Sequence, residues 1–340
     1  MKNAKTATAT AVEALLPRDF TPVEYPAADG ACTVVEYPSA NGANTVTGYF
    51  YDAADGVPRA IVQISHGMQE YIRRYDPLAQ YLTGCGYAVC GNDHLGHGAT
   101  SGEDGINGYF AEENGAECVL ADLFTMSELA QKRWPGVPLV LLGHSMGSFF
   151  ARWYAEYRGD ALAGLILSGT AGPNPAAGVG MALTSFLSAI KGSTALSPLV
   201  EKIAFGSYND RIGTPVTGKE WVTGDPDVLA AYVADPKCSF SFTLNGFHGL
   251  MKVLNIVSRK EWAGKLPKKL SVYLFAGEED PVGAYGKGVQ IVCDRLRAAG
   301  MNDVCIRLYP GCRHEVHNER PAARAQCYAD LRSWLDVHCG

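Results

Sequence analysis

No basic stripe runs through this sequence. Its 29 Lys and Arg are interspersed with 35 Asp and Glu, for a net charge of −6. That argues against nucleic acid as a partner. There is no C-x-x-C pair, because the ten cysteines, Cys32 to Cys339, are scattered. Zinc-type ligand spacing is therefore missing. Several, such as Cys90 and Cys305, sit in apolar surroundings and read as reduced, small hydrophobes of a reducing compartment. No apolar run is long enough to span a bilayer, and no internal repeat or low-complexity segment is found. Met1 to Leu16 carries two lysines, Glu13 and no long apolar stretch, so a secretory signal is not expected. A cytoplasmic chain is the expectation.

What is present suits one large α/β domain with an insertion: 340 residues, 47% of them hydrophobic. Short apolar runs recur at Val34–Val35, Val46–Tyr51, Ala60–Ser65, Tyr87–Cys90, Leu139–Leu142, Leu165–Leu167, Val272–Phe275 and Val304–Leu308. Helical patterns fall between most of them, over Tyr75–Thr83, Cys118–Trp134, Phe149–Tyr157 and Gly288–Ala298, with a last helix from Pro321 to Val337. The alternation predicts a mostly parallel sheet with helices on both faces. One stretch breaks the rhythm. From about Ala171 to Trp262 there is no clear strand, but there is an amphipathic pattern (Val179, Leu183, Phe186, Leu187, Ile190) and an apolar segment from Phe240 to Val257. The expected division is a flexible leader over 1–25, a core over 26–170 and 263–340, and a helical cap over 171–262. A cap there would cover the carboxyl ends of the strands, where ligands bind in such sheets.

Gly143-His144-Ser145-Met146-Gly147 follows the run Leu139–Leu142 directly. A G-x-S-x-G turn between strand and helix pushes its serine hydroxyl out of the sheet. Helix-forming residues with no Gly or Pro follow, so Ser145 is the candidate nucleophile. A serine nucleophile needs a base, an orienting acid and donors for the oxyanion. Asp280 follows the strand Val272–Phe275, and Pro281 stops that strand; Glu278 and Glu279 are competitors. His314 follows the strand Val304–Leu308, with His317 as its rival. Oxyanion donors in this arrangement are backbone N–H groups after the nucleophile and after an earlier strand. Those are Met146 and, in Ser65-His66-Gly67-Met68, Met68. His66 reads as a brace for its loop. Asp93-His94-Leu95-Gly96-His97-Gly98 reads as a structural loop near the site, since its spacing offers no metal a complete ligand set.

Five segments together resemble the monoacylglycerol lipase and lysophospholipase branch of the α/β-hydrolase superfamily, also known as serine aminopeptidase. They are His66-Gly67-Met68 with Glu70 and Tyr75, Asp93–Gly98, Gly143–Gly147, Asp280-Pro281-Val282-Gly283, and His314-Glu315 with Asn318-Glu319. They span about residues 60 to 320. The resemblance implies an eight-stranded sheet, a helical cap, a Ser145–Asp280–His314 triad and no cofactor. Gln69 departs from it, standing where the family often has a small residue. The expected activity is hydrolysis of a carboxylic ester, of the monoacylglycerol or lysophospholipid type, through an acyl-enzyme. Alternatives are an aminopeptidase, with Asp210, Glu220 and Asp225 as cap acids for a free amine, an acyltransferase, and a catalytically dead binding module. The expected partner is a small-molecule or lipid ester, with transient membrane contact through the cap. Oligomeric state is left open.

Overall fold

A computed structural model describes residues 12–17, 19–101 and 105–339. Among them one sheet is built from β1 (Val23–Pro26), β2 (Thr33–Pro38), β3 (Thr45–Tyr51), β4 (Ile61–Ser65), β5 (Ala88–Asn92), β6 (Leu139–His144), β7 (Gly164–Ser168), β8 (Ser271–Gly277) and β9 (Val304–Tyr309). Their spatial order is β1-β2-β3-β5-β4-β6-β7-β8-β9. The first three strands run antiparallel to their neighbours, and from β5 to β9 every pairing is parallel. The chain leaves β4 outward to β5 and then returns to β6 on the other side. That reversal opens a crevice at the carboxyl ends of β4 and β6.

Nine strands replace the eight implied by the resemblance. The addition is β1, three of whose four residues lie in the segment expected to be a flexible leader. Its four residues are all exposed, so no buried face gave it an alternating pattern. It is held as a short edge strand by pairing with β2 and by the Tyr25 hydroxyl, which donates to Glu36 at 2.7 Å. Pro26 closes it, as suits an edge. Residues 1–11 and 18 of that leader lie outside the described residues.

Central strands are buried on both faces, which is why they read as continuous apolar runs. Alternate residues still serve different layers. Leu139 and Leu141 join the core under α2 (Gly115–Arg133), α3 (Met146–Arg158) and α8 (Lys287–Ala298). Val140 and Leu142 join the core under α1 (Asp76–Thr83) and α9 (Pro321–Cys339).

Between β7 and β8 come α4 (Ala177–Lys191), α5 (Pro198–Phe205), α6 (Pro226–Ala234) and α7 (Leu244–Ser258). Ser197, Asp225 and Thr243 cap the last three through their side-chain oxygens. α4 packs along α7. The amphipathic stripe of α4 is not a core stripe throughout, since Val179, Phe186 and Ile190 are exposed.

A buried arginine ties this insertion to the sheet. Arg152, on α3, donates to the Ala171 carbonyl at 3.1 Å and to the Val257 carbonyl at 2.6 Å. Those two carbonyls belong to the entry and exit of the inserted helices. Its guanidinium also lies 4.3 Å from the Trp262 ring centroid, and Trp262 Nε1–H donates back to the Arg152 carbonyl. Arg152→Ala leaves both carbonyls without their donor. It is expected to lower unfolding free energy by about 3 kcal/mol, measured by urea denaturation.

Candidate active site

Ser145 has φ 52° and ψ −122°, a region that L-residues enter only at a cost of roughly 1–3 kcal/mol. The neighbouring backbone leaves little choice. A Cβ on Gly147 would lie 1.9 Å from the Ser65 carbonyl oxygen, and one on Gly143 would lie 2.5 Å from the Gly147 oxygen. So α3 starts pressed against the ends of β4 and β6, and the corner between them is sharp. The Ser145 N–H donates to the Ser168 carbonyl on β7 at 2.9 Å. Ser145 is half-buried among neighbours that are fully buried.

The structure brings Asp280 and His314 together. His314 Nδ1 lies 3.0 Å from Asp280 Oδ1, and Asp280 is completely buried. Asp280 Oδ1 also accepts from the Val282 N–H at 2.9 Å. Burial opposes a charged imidazole, but the Asp280 charge and hydrogen bond outweigh it and hold His314 above the ordinary histidine value. Glu278 and Glu279 are exposed instead. His317 is buried, stacked on Tyr75 at 4.7 Å between ring centroids, and is depressed to about 4 chiefly by burial.

The loop after β4 reaches the same place. A Cβ on Gly67 would lie 3.0 Å from the Ser145 Cβ. Among the described residues, neither the Met68 nor the Met146 N–H donates to a protein acceptor. His66 braces this loop. Its Nδ1–H donates to the Gly67 carbonyl at 2.7 Å, and its Nε2 accepts from the His94 N–H at 2.9 Å. Asp93 ties the next loop by accepting from the Ile72 and Ala99 N–H groups, each at 2.8 Å.

Sequence reasoning missed two features. The first is a buried charge network. Arg74 pairs bidentately with Glu315 at 2.6 and 2.7 Å and reaches Glu70 at 3.1 Å. Glu70 also accepts from the Gly67 N–H and the Tyr75 hydroxyl. Burial and the Glu315 charge raise the Glu70 carboxyl. Burial works against the Glu315 charge too, but Arg74 holds that carboxyl down. The i,i+4 spacing of Glu70 and Arg74 was the available signal. The second is a seam between the inserted segment and the His314 loop. The His314 and Glu315 N–H groups donate to the Trp221 and Val222 carbonyls at 3.3 and 2.8 Å. Arg313 donates to the Glu220 and Thr223 carbonyls, and Glu319 accepts from the Gly224 N–H. No sequence pattern announces such backbone pairing.

Ser145, His314, Met68 and Met146 line one cavity of about 620 Å³. Its remaining walls are mainly apolar and include Phe149, Leu183, Phe205, Leu250 and Leu254. Residues 56–321 match the model of the family described as serine aminopeptidase, S33.

The chain belongs to the serine aminopeptidase S33 family.

Among members and relatives, a human monoglyceride lipase is 28% identical over 82% of this chain and 83% of its own length. A monoacylglycerol lipase of Mycolicibacterium smegmatis is 29% identical over 84% of this chain and 90% of its own. Among solved structures, a thermostable carboxyl esterase from Bacillus coagulans, in complex with glycerol, is 32% identical. It superposes with a TM-score of 0.86 over 91% of this chain and 99% of that one. The architecture is the α/β-hydrolase fold.

The strain at Ser145 makes a stability prediction for this S33-family chain. Glycine adopts φ 52° freely, whereas alanine does not. Ser145→Gly is expected to be about 1 kcal/mol more stable than Ser145→Ala, read as the difference in urea midpoints at equal slope.

Proposed function

We propose that this protein hydrolyses a lipid monoester, of the monoacylglycerol or lysophospholipid type, through an acyl-enzyme on Ser145. The broader class, carboxylic ester hydrolase, follows from its family, its relatives and its fold. The observation that carries the finer reading is the Asp280–His314 pair opening into the same apolar cavity as Ser145.

In this reading His314 Nε2 takes the Ser145 hydroxyl proton as Oγ attacks the ester carbonyl. Asp280 holds the Nδ1–H tautomer and stabilises the imidazolium. The Met68 and Met146 N–H groups receive the negative charge on the carbonyl oxygen. The C–O bond to the alcohol breaks, and His314 returns the proton to the leaving oxygen. Water then attacks the acyl carbon, gives its proton to His314, and Ser145 leaves with it. The helices over 171–262 act as a cap that shapes the acyl pocket.

An aminopeptidase would need a free carboxylate for the substrate amine. Glu220 instead accepts from the Val216 and Thr217 N–H groups, Asp225 caps α6, and Asp210 is exposed. None of the three lines the cavity. Acyl transfer shares the triad and is tested by adding alcohols and looking for new esters. A dead binding module would leave Ser145 unreactive.

Phe186, Ile190, Leu199 and Ile203 on α4 and α5 are exposed, and Ile203 lines the cavity; we read these four as a transient docking face for a lipid surface. Phe186→Glu with Ile190→Glu is expected to reduce binding to phosphatidylcholine vesicles, checked by flotation, while hydrolysis of a soluble ester persists. The cysteines of the described structure are all unpaired, in keeping with a cytoplasmic setting. No helix among the described residues is long and apolar enough to cross a membrane.

Ser145→Ala is expected to abolish hydrolysis of a short p-nitrophenyl ester with the fold retained. The base must be neutral to act, so kcat/KM rises with pH through the elevated His314 value. Asp280→Asn removes what raises that value. It is expected to move the rising limb to lower pH and to cut kcat by about 10⁴.

A further inference from the structure

Gln69, the departure from the family pattern, follows the proposed oxyanion donor Met68 directly. It is 3% exposed and has φ 59°. A glutamine in the left-handed region costs on the order of 1 kcal/mol and persists only where surrounding contacts hold it. Those contacts are visible. Gln69 Nε2–H donates to the Phe240 carbonyl, and Gln69 Oε1 accepts from Lys219 Nζ at 2.8 Å. The amide orientation is chemically determined, because an ammonium only donates and a carbonyl only accepts.

Both partners lie in the inserted segment, and Lys219 sits at a fixed part of it. Two residues on begin the Trp221 and Val222 carbonyls that accept from His314 and Glu315. The oxyanion loop and the base loop are thus held by one stretch of the insertion. We propose that Gln69 is a positioning residue for the oxyanion hole, holding the Met68 N–H in register with His314 through Lys219 and Phe240. This rests on the oxyanion reading given above.

The test is Gln69→Met, which keeps the length and removes both hydrogen bonds, with Lys219→Met as a second variant at a half-buried position. A misaimed donor lowers the transition state's stabilisation but not ester binding. Gln69→Met is expected to lower kcat about tenfold, less than the 10²–10³ of a donor lost outright, with KM nearly unchanged. Affinity for an alkyl trifluoromethyl ketone, whose adduct carries the oxyanion, should fall by the same factor. Lys219→Met is expected to lower kcat about threefold, and the double variant no further than Gln69→Met, because both act through one amide. If Gln69→Met folds poorly, Lys219→Met alone carries the kcat and ketone measurements. Unchanged kcat and ketone affinity in the folded variants would overturn the proposal, as would a loss confined to thermal stability or to KM. Ser145→Ala distinguishes failure of the nucleophile assignment from failure of the Gln69 role. Activity surviving in that variant removes the nucleophile assignment and this inference together. Silence at Gln69 beside a dead Ser145→Ala removes only the role of Gln69.

Discussion

The carbonyl of Ser65 leaves no room for a side chain at residue 147, and much of the site depends on that contact. Because Gly147 can press against the end of β4, α3 begins immediately beyond β6. The single residue left to turn the corner, Ser145, takes an unfavourable backbone conformation. The same contact sets the loop after β4 beside the serine, with Gly67 filling the gap between them. It also leaves the first N–H of α3, that of Met146, without a partner inside its own helix, as every helix start must. A strained serine, a free N–H and a second loop meet at one point for one steric reason.

A second level of order comes from buried polar groups that cannot be left unpaired. Arg74 sits between the carboxylates of Glu70 and Glu315, so it joins the loop after β4 to the loop that carries His314. Arg152 satisfies carbonyls at both stems of the inserted helices. The insertion in turn supplies backbone acceptors for His314 and Glu315. The part of the insertion from Glu220 to Gly224 is thus integrated with the loop that carries His314. Phe186 and Ile190 of α4 are exposed and are not among the residues that line the cavity.

Local sequence signals announced the sheet strands from β2 to β9, because each carries a short apolar run, continuous in the central parallel strands that are buried on both faces. They also announced α3, whose aromatic residues recur at helical spacing. Ser145, Asp280 and His314 could be proposed together from the sequence because each follows a strand at the same sheet edge. Asp280 and His314 are in contact, and Ser145 and His314 line one cavity. Other features left no local trace. The edge strand β1 has no buried face. Phe186 and Ile190 look like core residues in an amphipathic pattern, since periodicity does not say which side faces solvent. Gln69 could be recognised as unusual, but its partners Lys219 and Phe240 lie more than a hundred residues away. Long-range backbone pairing, such as Val222 with Glu315, depends on tertiary placement that no short pattern encodes.

Acylation of Ser145 is the event on which the proposed chemistry depends. Its most direct test is to react the intact protein with a fluorophosphonate and locate the adduct by peptide mass spectrometry. One stoichiometric adduct is expected, on the peptide containing Ser145. No adduct, or an adduct on another residue in a protein that hydrolyses esters, would contradict it.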